Sequence, residues 1–214
     1  MIDSEFIKKS NLEIENVSRE TFDDLNIYIE SILIKNKEIN LISNNTEKNI
    51  NNRHIIDSAQ TIDFIDKTDI KVCTDIGSGA GLPGIVLAIL LKTKKPLFKV
   101  IFYEKSYHKS NFLKNISRKL NLNTEVHQKN IFEQKNLNSD IIISRAFKPL
   151  PIIFHIASEN FKKFKYIVSY LGKSGKKILK DSSINWKFDY EQKKSLTSDE
   201  SSIVKIFNLK KKNG

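Results

Sequence analysis

At 214 residues the chain is long enough for one domain with a modest extension and too short for two full ones. Apolar residues make up 39% and charged residues 29%, which supports a real core and excludes a disordered chain, while a single cysteine excludes a disulfide framework and a cysteine-cluster metal site. Lys plus Arg total 36 against 25 Asp plus Glu, and the formal charge of +11 suits a polyanionic partner, because each neutralised phosphate releases a counterion.

Residues 1–9 are mixed and charged, unlike a signal peptide, and the longest apolar stretch, 85–91, is too short to span a bilayer. A soluble, cytoplasmic protein is expected. Phe22, Leu25, Ile29, Ile32 and Leu33 recur at helical spacing between residues 18 and 36, with Ser18 or Thr21 as N-cap. Residues 40–45 read as a loop. A second helix is expected from Thr46 past Arg53, His54 and Asp57 to about Ile65. Together these helices make residues 1–66 an N-terminal helical extension.

From there the pattern alternates. A buried strand at 71–76 runs into a glycine loop at 77–81, and Pro83 can open the next helix, where its missing N–H costs nothing. A second strand at 99–103 ends in Glu104, followed by an amphipathic helix over 106–120. Short strands are expected at 125–128 and 140–144, a helix at 150–161 and a fifth strand at 166–171. Such alternation implies an α/β fold with a parallel sheet covered on both faces. After Gly175 the segments 184–192 and 203–209 read as an antiparallel hairpin closing the sheet, so that 67–214 form one unit.

The glycine loop, Asp75-Ile76-Gly77-Ser78-Gly79-Ala80-Gly81-Leu82-Pro83-Gly84, admits two registers. Gly79-x-Gly81-x-x-Gly84 fits a dinucleotide fingerprint with a pyrophosphate on the helix N-terminus. Gly77-x-Gly79-x-Gly81 after Asp75 is typical of adenosylmethionine-dependent methyltransferases. Asp75 favours the second, since a carboxylate suits a cationic amino-acid group and repels a pyrophosphate. Glu104 can accept hydrogen bonds from both ribose hydroxyls in either case.

Arg145 follows a buried strand at its carboxyl end, where it can meet a phosphate, a base or a carboxylate, or form a salt bridge. Arg53, His54 and Asp57 lie within about one helical turn, a spacing that most often means a hydrogen-bonded cluster. Cys73 lies inside the first strand and reads as core, which argues against a cysteine nucleophile. The lysines from Lys162 to Lys180 form an acid-free run suited to phosphate contact. Trp186 and Tyr190 read as core. The remaining histidines are scattered, and no metal site is expected.

Four segments occur in order: Asn40-Leu41-Ile42-Ser43, Arg53-His54-Ile55-Ile56-Asp57-Ser58, the glycine loop, and Ile143-Ser144-Arg145-Ala146-Phe147. Together they resemble the bacterial small-subunit ribosomal RNA guanine-N(7) methyltransferases over nearly the whole chain. The resemblance implies a class I methyltransferase-like, Rossmann-like sheet and S-adenosylmethionine as cofactor. It implies a monomeric enzyme acting on 16S ribosomal RNA or the small ribosomal subunit, with no membrane partner. Asp75, Gly77, Gly79, Gly81, Leu82, Glu104, Asn130, Ile131 and Arg145 would bind the cofactor. Arg145 would also be catalytic, and Arg53, His54, Lys173, Lys176 and Lys177 would meet RNA.

Overall fold

In the computed structural model, which describes residues 2–3, 5, 17–65 and 69–212, the alternating segments form one seven-stranded sheet. Strands β1 (Val72–Ile76), β2 (Lys99–Tyr103), β3 (Thr124–His127), β5 (Ile141–Ser144) and β7 (Tyr166–Leu171) are parallel. The hairpin of β8 (Trp186–Ser195) and β9 (Ser198–Lys211) joins through an antiparallel β7–β9 pairing. Two short strands, β4 (Leu137–Asn138) and β6 (Phe161–Lys163), pair separately and escaped the sequence reading. The spatial order is β3-β2-β1-β5-β7-β9-β8. From β1 the chain steps outward to β2 and β3, then returns to lay β5 on the other side of β1. That reversal opens a crevice at the carboxyl ends of β1 and β5, the usual ligand position in open α/β sheets.

The central strands are apolar runs because both faces are covered: Ile141, Ile142, Ile143, Ile167 and Val168 are fully buried. Helix α4 (Gly84–Leu91) is apolar all round and buried at every residue. A helix of this kind needs cover on its outer side, and the N-terminal helices supply it. Helix α1 (Arg19–Asn36), capped by Ser18 accepting the Thr21 N–H, places Leu25, Tyr28 and Ile32 in one cluster with Ile85, Leu87 and Leu91. Lys92 pins the two helices by pairing with Glu20 and Asp24, each at 3.1 Å. The expected boundary between residues 66 and 67 lies outside the described residues.

Three expectations need correction. The second N-terminal helix is not uniform: α2 (Asn44–Glu47) is followed by a π-helical turn (Asn51–Ile56), α3 (Asp57–Ala59) and a 3₁₀ turn (Gln60–Phe64). The wide turn falls where Arg53 and His54 face Arg145, a local irregularity of the kind found at functional sites. The segment before the hairpin is a helix, α7 (Gly175–Asn185), so β8 starts at Trp186 rather than Ile184, which is exposed. Its lysines and single buried large apolar residue, Leu179, left too faint a stripe for periodicity to register. Trp186 is buried as expected, but Tyr190 is 49% exposed on the edge strand β8. The other helices, α5 (Tyr107–Lys119) and α6 (Leu150–Asn160), match expectation.

Candidate active site

A cavity of about 610 Å³ occupies the crevice, within the size range of small-molecule sites. One wall is made of backbone. After β1 the chain turns through Gly77, whose N–H donates to the Tyr103 carbonyl at 2.9 Å, tying the loop to the end of β2. Gly77 has φ +69°, and a Cβ there would collide with the Phe147 ring. At Gly79 φ is +55°, and a Cβ would meet nothing within 4 Å, so its bare backbone faces the cavity. Behind the loop, the buried Tyr28 hydroxyl of α1 donates to the Ala80 carbonyl at 2.9 Å. Asn36 at the end of α1 accepts the Leu41 and Ile42 N–H groups at 2.7 and 3.0 Å, shaping a second loop that lines the cavity.

Glu104 is 8% exposed and welds this wall together. Its two oxygens accept the N–H groups of Gly79 at 2.9 Å and Ser106 at 2.8 Å. Each oxygen keeps a further lone pair, and the residue lines the cavity, so it can still accept from a diol. Leu82, Asn130 and Ile131 also line it. Asn130 caps the 3₁₀ turn Ile131–Glu133, and buried Asn160 holds the Ile131 carbonyl at 2.6 Å.

Asp75 and Gly81 do not line the cavity. Asp75 lies beneath the loop, 1% exposed, with its carboxylate accepting the Gly84 N–H at 3.0 Å at the start of α4. Burial pushes its pKa up to about 7, with the Gly84 bond opposing. Its place is that of an internal support. Direct contact with a bound amino-acid group, expected from the sequence, has no basis in this geometry.

The opposite wall is made of side chains. Arg145 follows β5 and is 16% exposed. Its Nη2 pairs with Asp57 Oδ2 at 3.0 Å and donates to the Arg53 carbonyl at 2.6 Å, while Nη1 donates to His54 Nδ1 at 3.2 Å. The guanidinium carbon stands 5.5 Å from the centre of the Tyr170 ring. Because guanidinium only donates, His54 Nδ1 must be bare and Nε2 must carry the hydrogen, which it gives to Thr46 Oγ1 at 2.7 Å. Burial, reinforced by Arg145 and Arg53, lowers the His54 pKa to about 4, so the ring is neutral at physiological pH. Asp57 Oδ1 meanwhile accepts from Ser195 and Thr197 at 3.0 and 3.1 Å, anchoring the β8–β9 turn to the same cluster.

Arg53 and His54 thus reach the site, although Arg53 contributes its carbonyl to Arg145 and leaves its guanidinium outside. Lys173, Lys176 and Lys177 do not line this cavity, are exposed, and lie at the start of α7 or just before it. Lys173 pairs with Glu200 at 3.0 Å. Four other lysines edge the cavity: Lys105, Lys109, Lys129 and Lys148, none with a carboxylate partner among the described residues. The sequence reading missed these, along with Tyr28, Asn36 and Tyr170. Three of the four had a local signal, since Lys105 follows Glu104, Lys129 precedes Asn130 and Lys148 follows the Ser144-Arg145-Ala146-Phe147 segment directly.

Comparison with known proteins shows the family of the chain. The family model for GidB, rRNA small subunit methyltransferase G, matches residues 21–206. The ribosomal RNA small subunit methyltransferase G of Pelagibacter ubique is 49% identical over 204 residues, covering 94% of this chain and 95% of that protein. Its counterpart from Ruegeria pomeroyi is 35% identical, covering 89% and 93%. A SAM-dependent methyltransferase from Aquifex aeolicus shares the fold, with a TM-score of 0.53 at 17% identity, covering 71% of this chain and 89% of that one. The chain belongs to the rRNA small subunit methyltransferase G family.

Proposed function

We propose that this protein transfers a methyl group from S-adenosylmethionine to N7 of a guanosine in small-subunit ribosomal RNA, in the cytoplasm. The observation that carries the reading is one cavity with two unlike walls, bare backbone and Glu104 on one side and the Arg145 fork on the other. The cavity fits the cofactor on the protein's own terms. Gly79 presents bare backbone at φ +55° to the cavity, Glu104 has acceptor capacity left for the ribose hydroxyls, and Leu82 and Ile131 offer apolar contact for an adenine.

When bound, adenosylmethionine supplies an electrophilic methyl on a sulfonium. Guanine N7 has an exposed lone pair and loses no proton before attack, so the chain needs no strong general base. What it must supply is alignment and charge stabilisation. Glu104 and the 77–81 loop orient one reactant, and Arg145, locked by Asp57, the Arg53 carbonyl and His54, orients the other. The lysines that edge the cavity, with the net charge of +11, favour approach of the RNA backbone. We read residues 1–66 as an extension that braces the loop through Tyr28, and the enzyme as a monomer. Mass spectrometry of nucleosides from small-subunit RNA tests this: cells lacking the gene should lose one 7-methylguanosine that complementation restores. An unchanged nucleoside profile would refute it.

A further inference from the structure

A second cavity, of about 250 Å³, abuts the first, and His54, Arg145 and Ala146 line both. It lies below the usual size for drug-like ligands and is too small for a second cofactor. It is lined by Tyr170 of β7, Thr197 of the β8–β9 turn, Ser198 and Ser201 at the start of β9, and Arg53. We infer that this cavity receives the target nucleoside, a purine nucleotide drawn out of the RNA, and presents its reactive edge across the Arg145–Ala146 junction. The inference rests on the methyl-transfer reading above and adds the acceptor subsite to it.

Three features support a guanine nucleotide. First, donor and acceptor must touch, and the two cavities share an edge formed by His54, Arg145 and Ala146, where a guanidinium N–H not taken by Asp57, Arg53 or His54 can donate to a guanine carbonyl and leave N7 free. Second, hydroxyls both donate and accept, which suits a base that carries ring and exocyclic N–H groups beside a carbonyl. Asp57 is committed to holding the site together, with Oδ1 engaged by Ser195 and Thr197 and Oδ2 by Arg145. Ser198 Oγ accepts from Ser201 at 3.1 Å and keeps its own hydrogen for a ligand. Third, the Arg53 guanidinium has no carboxylate partner among the described residues and can take the phosphate of the extruded nucleotide. The turn is held in place before any ligand arrives, since Gln60 accepts the Leu196 N–H at 2.8 Å and Asp57 holds Ser195 and Thr197.

The test uses the whole protein saturated with S-adenosylhomocysteine, so that the first cavity is filled, and titrates guanosine 5′-monophosphate while following backbone amide signals by NMR. Signals from residues 197–202 should shift. The double variant Ser198→Ala/Ser201→Ala should bind the nucleotide about tenfold more weakly. Ser201→Phe, which fills the cavity, should lose nucleotide binding and raise KM for small-subunit particles, with S-adenosylhomocysteine affinity within about twofold of the parent. An absence of shifts at 197–202 in the parent would overturn the inference. So would a Ser201→Phe protein that methylates with parental KM. Failure of the parent to bind S-adenosylhomocysteine is a different result, and it would remove the methyl-transfer reading itself.

Discussion

The two walls of the main cavity are built by opposite means. The glycine wall depends on main-chain groups over a short stretch, residues 75–84, with Glu104 as its one essential side chain. The Arg145 wall is a cluster of side chains from the π-helical turn, β5, β7 and the β8–β9 turn, separated by up to 140 positions in sequence. A backbone-built wall resists most substitutions outside its glycines. A side-chain cluster fails when any one partner is removed, because the remaining charges stay partly buried and unpaired.

The largest expected effect is therefore on the second wall. Arg145→Ala should lower methyl transfer by at least about 100-fold, the scale seen when a charge-stabilising donor is removed. It should also cost up to about 3 kcal/mol of stability, since Asp57 loses its partner in a site only 13–16% exposed. Arg145→Lys should recover little activity, because lysine cannot reach Asp57, the Arg53 carbonyl and His54 together. Transfer assays with urea unfolding of each variant check this. Full activity in Arg145→Ala would make the residue a structural ion-pair partner only.

On the first wall, Glu104→Ala should weaken adenosylmethionine by tenfold or more, from about 1.5–3 kcal/mol for bonds to a charged acceptor. Glu104→Gln should be nearly as damaging. One oxygen becomes an NH₂ group, which cannot accept the N–H of Gly79 or Ser106. Calorimetry decides, and a glutamine variant with parental affinity would mean that the bonds to the loop do not matter.

The walls should also differ in the sign of their pH dependence. His54 has a folded pKa of about 4 against an ordinary 6.5, so between those values the unfolded chain takes up a proton that the folded one refuses. Its contribution to stability is complete above pH 6.5 and is lost as pH falls toward 4. Asp75 runs the other way. With a folded pKa of about 7 it keeps a proton that the unfolded chain releases, so its contribution falls as pH rises from 4 to 7. Urea unfolding across that range should show the parent's advantage over His54→Asn growing with pH and its advantage over Asp75→Asn shrinking. Parallel curves for parent and either variant would contradict the assignment.

The same contrast explains what could be read from the residues alone. The alternating segments, the glycine loop and Glu104 were legible because each signal is local: a period, a run, or a positive-φ glycine after a strand. The placement of Asp75 was not, since a carboxylate at the end of a strand looks the same whether it points into the cavity or caps the helix behind the loop. Arg53, His54 and Asp57 stood out as a cluster, but their shared partner, Arg145, lies some 90 positions away. Nothing in the spacing shows that Tyr170 lies beside it. Helix α7 was hidden by its own lysines, and the RNA contacts were assigned to its basic run because charge can be counted in a sequence while proximity to a cavity cannot.

The choice between the two groups of lysines yields the smallest predicted effect. Replacing Lys105, Lys129 and Lys148 should reduce the salt dependence of RNA binding by about 0.7 for each phosphate no longer neutralised, more than replacing Lys173, Lys176 and Lys177 does. Equal slopes for the two triple variants would return the RNA-binding role to α7.

The most direct measurement mixes the purified protein, methyl-labelled S-adenosylmethionine and small ribosomal subunits from cells lacking the gene, then digests the RNA to nucleosides. Label should appear in 7-methylguanosine, disappear with Arg145→Ala, and return for Glu104→Ala only at raised cofactor concentration. Label in another nucleoside, or none with the parent protein, would contradict the proposed activity.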